Sequence, residues 1–184
     1  LSLMAAVSTP LVVLLLTDKW LPCVPYMQIL CFSFMFSPVE TENLQSIKAI
    51  GRSDIVLRLE IAKRSIGVLL LAISVPFGLL AIALSMLLGN IIAALLNASP
   101  NNKLIGYSIR SQIKDILPSL LMSLLVYAGV SMVIDNLSTT NCWIQLTIGI
   151  GAGLSIYVLT SYLFKVESFL YIKSMILTSI NRNK

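Results

Sequence analysis

Residues 38 to 64 read PVETENLQSIKAIGRSDIVLRLEIAKR and hold nine of the chain's charged side chains, in a protein where only 11% of residues are charged. Five are basic (Lys48, Arg52, Arg58, Lys63, Arg64) and four acidic (Glu40, Glu42, Asp54, Glu60). Long apolar runs flank this island on both sides. Whether it is an open loop or two helix ends joined by a turn decides the fold.

The surrounding composition favours helix ends in a bilayer. Soluble domains carry about 25% charged and about 45 to 50% apolar residues. This 184-residue chain is 57% apolar, with a mean hydropathy of +0.91. The expected class is all-α and integral to the membrane. At about 20 apolar residues per span, the length admits six helices and leaves no room for a separate soluble domain. The chain opens at Leu1 inside an apolar run, with no cleavable-signal pattern, and reads as a fragment of a longer protein.

The absence of histidine removes the commonest general base and metal ligand. Cys23, Cys31 and Cys142 are scattered without CxxC spacing, so small apolar filler is their expected role. No cofactor motif is present, and no cofactor is expected.

The apolar runs divide into spans at about 1–16, 24–50, 55–76, 79–97, 116–134 and 143–164. Pro10, Pro38 and Pro76 are expected to bend or end helices. Gly51 is the natural stop for the second span, and Asp54 or Ser53 the natural N-cap for the third. The uncharged part of the third span, 65–75, is only about 17 Å long, short of a hydrocarbon core of about 30 Å, so its charged half must enter the membrane as well. A single helix over 65–96 would measure about 48 Å and put basic residues on both sides, so a hairpin turning at Phe77 and Gly78 is expected instead. Between 97 and 115, Leu104 or Ile105, Ile109 and Ile113 recur at helical spacing opposite Lys103, Arg110 and Lys114, which reads as an interfacial amphipathic helix. The tail 165–184 reads as a second one, cytoplasmic and basic.

With six spans, 38–64, 97–115 and 165–184 fall on one side and hold five, three and four basic residues, while the other side holds only Lys19. The excess marks the cytoplasmic side and places the C-terminus there. The net charge of +5 thus reflects membrane orientation, and nucleic acid is not an expected partner. Trp20 and Trp143 fall at the opposite boundary, suited to an interfacial aromatic belt.

Measured from Pro25, Glu40 and Glu42 lie roughly 23 to 26 Å along their helix, in the inner part of the bilayer. Glu60 can pair with Lys63 or Arg64 at i,i+3 and i,i+4. Charged groups at such depth face a cavity or a partner, whereas groups near helix ends, such as Lys48 and Arg58, can snorkel to headgroups. Glu42, Asn43, Gln45, Lys63 and Arg64 are the candidate cavity-lining residues, and Glu40, Glu42 and Glu60 the candidates for ion coupling. Gly51, Arg52, Ser53 and Asp54 form the expected cytoplasmic turn. Gly149 and Gly153 make a GxxxG in the last span, expected to serve helix packing.

The order DKWLPCVPYMQIL (Asp18 to Leu30), NLQSIKAIGRSD (Asn43 to Asp54), LRLEIAKR (Leu57 to Arg64), SVPFG (Ser74 to Gly78) and IKDILP (Ile113 to Pro118) resembles bacterial polysaccharide biosynthesis proteins. These are the O-antigen and oligosaccharide flippases of the multidrug/oligosaccharidyl-lipid/polysaccharide exporter superfamily. The resemblance implies the C-terminal lobe of a two-lobe exporter in the bacterial inner membrane. Such a lobe would move undecaprenyl-diphosphate-linked oligosaccharide across the membrane by alternating access, together with an N-terminal lobe and alongside polysaccharide polymerase machinery. It implies a cationic cavity, from which Glu40 and Glu42 depart. A drug or metabolite exporter of the same superfamily is the alternative transporter. A membrane enzyme of polysaccharide assembly is the alternative of another class, disfavoured by outer breaks that hold only Asp18, Lys19 and Asp135 as charged residues.

Overall fold

The computed structural model describes residues 1–137 and 141–163, and the described residues are helical, with no strand among them. In these residues eight α-helices follow one another: α1 (Ser2–Ala6), α2 (Ser8–Leu16), α3 (Val24–Phe34), α4 (Ser37–Ala49), α5 (Ser53–Ser74), α6 (Leu79–Leu104), α7 (Ile109–Asn136) and α8 (Cys142–Leu163). Short 3-10 turns at Asp18–Cys23 and Val75–Phe77 link α2 to α3 and α5 to α6. Among the described residues, four stretches are long and apolar enough to cross a membrane: Asp18–Ala49, Leu79–Asn102, Ile109–Asn136 and Cys142–Tyr162. The tail expected as a second amphipathic helix lies outside the described residues.

Prolines set two of the breaks. A proline ring clashes with the carbonyl four residues before it and offers that carbonyl no N–H. Ala6, four residues before Pro10, is the last residue of α1, and Phe34, four before Pro38, is the last of α3. The span expected at 24–50 is therefore two helices, joined by Met35 and Phe36, whose N–H groups bond back three residues to Phe32 and Ser33 at 3.2 and 3.4 Å. Pro76 lies in the turn that reverses the chain between α5 and α6, and Gly78 closes that turn at φ 89°, which L side chains rarely adopt. The hairpin expected at Phe77 and Gly78 is present.

Gly51 ends α4 as expected. At φ 78° it lets its own N–H reach Lys48 O at 2.9 Å and the Arg52 N–H reach Ile47 O at 3.3 Å, the paired bonds of a Schellman stop. The N-cap of α5 is Arg52, and neither Ser53 nor Asp54 caps the helix with its side chain. The Asp54 carboxylate is taken by the Arg52 guanidinium, through bonds of 3.0 and 3.1 Å. That hydrogen bond, more than the charge itself, holds the exposed Asp54 carboxyl below its ordinary range.

The amphipathic helix expected between 97 and 115 is not a separate element. α6 continues through Pro100 to Leu104, the chain breaks at Ile105–Ser108 around Gly106 at φ 74°, and α7 starts at Ile109 with the Ser108 hydroxyl capping the Arg110 N–H at 3.1 Å. Ile109 and Ile113 belong to the first turns of α7, a 28-residue helix about 42 Å long. Their period is that of the long helix.

Two packed groups make up the bundle. In one, the α5–α6 hairpin lies against α3 and α4; in the other, the α7–α8 hairpin lies against α1 and α2. Ala6, Val7, Val126, Val130 and Ile134 form the core of the second group. In α8, Gly149 faces Val7 and Ile134, and Gly153 faces Leu3 and Val130, so this GxxxG is a helix-packing face, as expected. Phe32 and Tyr127 join the groups edge-to-face, with ring centroids 5.2 Å apart. Polar ties cross the apolar interior as well: Gln28 donates to Ala5 O and Ser8 Oγ, Asn90 to Ser33 Oγ, and Ser74 to Ser85 Oγ.

Candidate functional site

The charged island folds as two helix ends around the Gly51 turn. α4 turns one row of residues, Glu40, Asn43 and Ile47, toward its neighbours at i, i+3 and i+7, and Ile47 on that row is fully buried. Thr41 and Ser46 satisfy their hydroxyls on their own helix, donating to Ser37 O at 2.9 Å and Glu42 O at 3.0 Å.

On this row two polar clusters meet. The first is ionic: Lys63 of α5 donates to Glu40 Oε1 of α4 at 2.7 Å and to Glu60 Oε1, one turn back on α5, at 2.5 Å. The lysine side chain is only 10% exposed, against 27% for Glu40 and 36% for Glu60. One cation between two carboxylates leaves the group with a formal charge of −1. Burying these groups is costly unless they remain paired. The three side chains therefore lock α4 and α5 together.

The second cluster is neutral and more deeply buried. Asn97 and Asn101, one turn apart on α6, donate to the backbone carbonyls of Glu40 and Asn43 at 3.2 and 3.1 Å. Asn101 also reaches Asn43 Oδ1 at 2.6 Å, and Asn43 donates to Gln112 Oε1 of α7 at 2.8 Å. Gln112 in turn donates to Tyr107 O at 3.3 Å. Asn43, Asn97, Asn101 and Gln112 are all buried, so these bonds are made where water competes little. The orientations of Asn97 and Asn101 follow from their acceptors, because exchanging amide O and N would face oxygen against the α4 carbonyls. Their side-chain oxygens are buried without a described hydrogen-bond donor.

Of the candidate cavity residues, Asn43 sits at the centre of the neutral cluster and Lys63 at the centre of the ionic one. Glu40 and Glu60 join Lys63. Glu42 is exposed and lines a groove of about 370 Å³ between α4 and the start of α7. Gln45 and Arg64 are exposed and belong to neither cluster. Gly51 to Asp54 form the turn beyond α4. Among the described residues, no group of three His, Cys, Asp or Glu side chains is placed to hold a metal.

Four residues of the site are absent from the sequence reading: Asn97, Asn101, Tyr107 and Gln112. For α6 a signal existed. Asn90 and Asn97 recur seven apart across the apolar run 91–96, which puts two amides on one helix face, whereas Asn101 lies in NASPNN, a string with a loop's composition. Gln112 carries no such signal, since its partner lies 69 positions away.

Tyr107, which also lines the groove, donates its hydroxyl to Asp115 Oδ2 at 2.5 Å, and this bond pushes the phenol above its ordinary value. The geometry defines a helical protein with four membrane-compatible segments and a charged, amide-rich junction where α4, α5, α6 and α7 meet. Comparison with protein families, curated proteins and solved structures gives no match.

Proposed function

We propose that this chain is one six-span lobe of a two-lobe exporter that carries an undecaprenyl-diphosphate-linked oligosaccharide across the bacterial inner membrane by alternating access. The observation that carries this reading is the Lys63–Glu40–Glu60 group on α4 and α5. Ionisable residues inside transmembrane segments are rare, and they mark substrate paths, ion paths and relays.

In this reading the two further spans are α1 with α2, and α5. α5 has 22 residues, about 33 Å, enough to cross if its charged half enters the membrane. Lys63 then lies eleven residues, about 17 Å, from the outer end of α5, and Arg64 about 15 Å from it. Lys63 is neutralised by its partners, whereas Arg64 is exposed on α5 near Ile61 and Val68. An arginine at that depth is expensive against lipid, so it faces water or protein, as a cavity between two lobes provides. A diphosphate is the substrate group such a cation suits. The turns at 50–52 and 105–108, with Lys48, Arg52 and Arg58 about the first and Lys103, Arg110 and Lys114 about the second, face the cytoplasm. The acidic Glu40, a departure from a cationic cavity, is accounted for as the partner of Lys63.

The test is transport itself. Proteoliposomes containing the intact transporter, loaded with a fluorescent undecaprenyl-diphosphate oligosaccharide, report flipping by quencher access. Arg64→Gln is expected to slow flipping tenfold or more at unchanged protein level and melting temperature. Undiminished flipping in Arg64→Gln and in the Lys63→Met/Glu40→Gln pair would refute this assignment.

A further inference from the structure

The groove between α4 and α7 is separate from the ionic group and differs from it in chemistry. Pro38, Glu42 and Ser46 line it from α4, Tyr107 from the loop before α7, and Gln112 from α7. Its volume of about 370 Å³ falls at the low end of small-molecule sites, which span roughly 300 to 1,000 Å³. No cation lines it, and its single ionisable carboxylate, Glu42, has no ion-pair partner among the described residues. A phosphate would meet the Glu42 carboxylate there and no cation to offset it. What the walls offer is hydrogen-bonding capacity beside apolar surface. The Glu42 carboxylate accepts at two oxygens, and Ser46 and Tyr107 spend their protons on Glu42 O and Asp115 and keep lone pairs free. Gln112 spends one N–H on Tyr107 O and accepts one bond from Asn43, leaving an N–H and a lone pair. The Pro38 ring and the half-exposed Tyr107 ring supply flat apolar surface.

Acceptors in excess, a donor held rigidly in a buried amide network and a flat apolar wall match a ligand that presents many hydroxyls on one edge and C–H bonds on its face. We infer that this groove is a saccharide subsite, which seats a sugar ring of the lipid-linked substrate while the diphosphate is held elsewhere, near Arg64. This rests on the transporter reading and gives Glu42, unexplained by a cationic cavity, a role as acceptor for sugar hydroxyls. The groove's place fits such a ligand. It lies where the α6–α7 break meets α4, in that reading the cytoplasmic headgroup level, where the sugars of an unflipped substrate sit.

Saturation-transfer NMR on the full chain in lipid nanodiscs tests this, with methyl glycosides of the common neutral and N-acetylated hexoses, inorganic pyrophosphate and putrescine as probes. At least one glycoside is expected to bind. Glu42→Ala and the groove-filling Ser46→Trp should each weaken that binding tenfold or more at unchanged melting temperature, and Arg52→Gln, in the exposed turn, should leave it unchanged. Failure of every glycoside to bind, binding indifferent to both groove variants, or Glu42-dependent binding of putrescine in place of glycosides would overturn the inference. Pyrophosphate reports on the transporter reading by itself. Glycoside binding in the groove without any pyrophosphate binding sensitive to Arg64→Gln would keep the subsite and sink the flippase, and the reverse pattern would do the opposite.

Discussion

Single residues carry unequal weight in this molecule, and the ionic group shows why. Lys63→Met would leave Glu40 and Glu60 without their shared cation, at a cost of about 2 kcal/mol, below the 3 to 5 kcal/mol of a fully buried pair because both carboxylates keep some exposure. Adding Glu40→Gln and Glu60→Gln should recover most of that loss, a non-additivity that denaturant unfolding in detergent would measure. The Arg52–Asp54 pair makes the contrast, since both side chains are about half exposed. Its carboxyl is held low in the folded protein, so whatever stability it adds is present above the ordinary aspartate pKa and fades as pH falls through the lowered value. Asp54→Asn should give no measurable change in the unfolding midpoint at pH 7. Thr17 is a strained site of another kind, at φ 77° and ψ 168°, a conformation that glycine alone adopts freely. Thr17→Gly is expected to raise stability by about 1 kcal/mol, the strain relieved less the added chain entropy.

At the level of elements, glycine placement on α8 gives a directional test. A Cβ at Gly153 would run into Leu3 and one at Gly149 would press on Val7 and Ile134, whereas one at Gly151 meets nothing within 4 Å. Gly153→Leu should therefore part α8 from α1 and lower the melting temperature by several degrees, while Gly151→Leu on the open face should be tolerated. These element boundaries also show what a sequence makes legible. The α5–α6 hairpin was readable because Pro76 and Gly78 act locally, one by removing an N–H and the other by allowing positive φ. The continuation of α6 through NASPNN was not, because that string has the composition of a loop. Its asparagines become compatible with a helix only once Glu40 and Asn43 present carbonyls to them from α4, 57 and 58 positions away. Lys63 and Glu60 were recognisable as a pair from their spacing alone. Glu40 as their third member was not, since a contact between helices leaves no period in either one.

For the whole molecule, the arrangement of turns sets a test of topology that needs no knowledge of the substrate. If α4 and α5 both cross, the turn at 50–52 and the turn at 75–78 lie on opposite faces of the membrane, and the excess of basic residues puts the first one inside. Cysteine accessibility in sealed cells reads this directly, in a background where Cys23, Cys31 and Cys142 are replaced by serine or alanine. Phe77 is the better reporter of the outer turn than Gly78, because it is 75% exposed and its backbone is not confined to positive φ. A cysteine at Phe77 should react with a membrane-impermeant maleimide added outside, and one at Ser53 should react only after the cells are opened. The pair matters more than either site, because among the described residues α5 is the one long helix whose charge content keeps it apart from the membrane-compatible segments. Labelling of both sites from outside, or of neither, would mean that α5 does not cross. Lys63 and Arg64 would then lie at a surface, where snorkelling to headgroups accounts for them and a transport cavity does not.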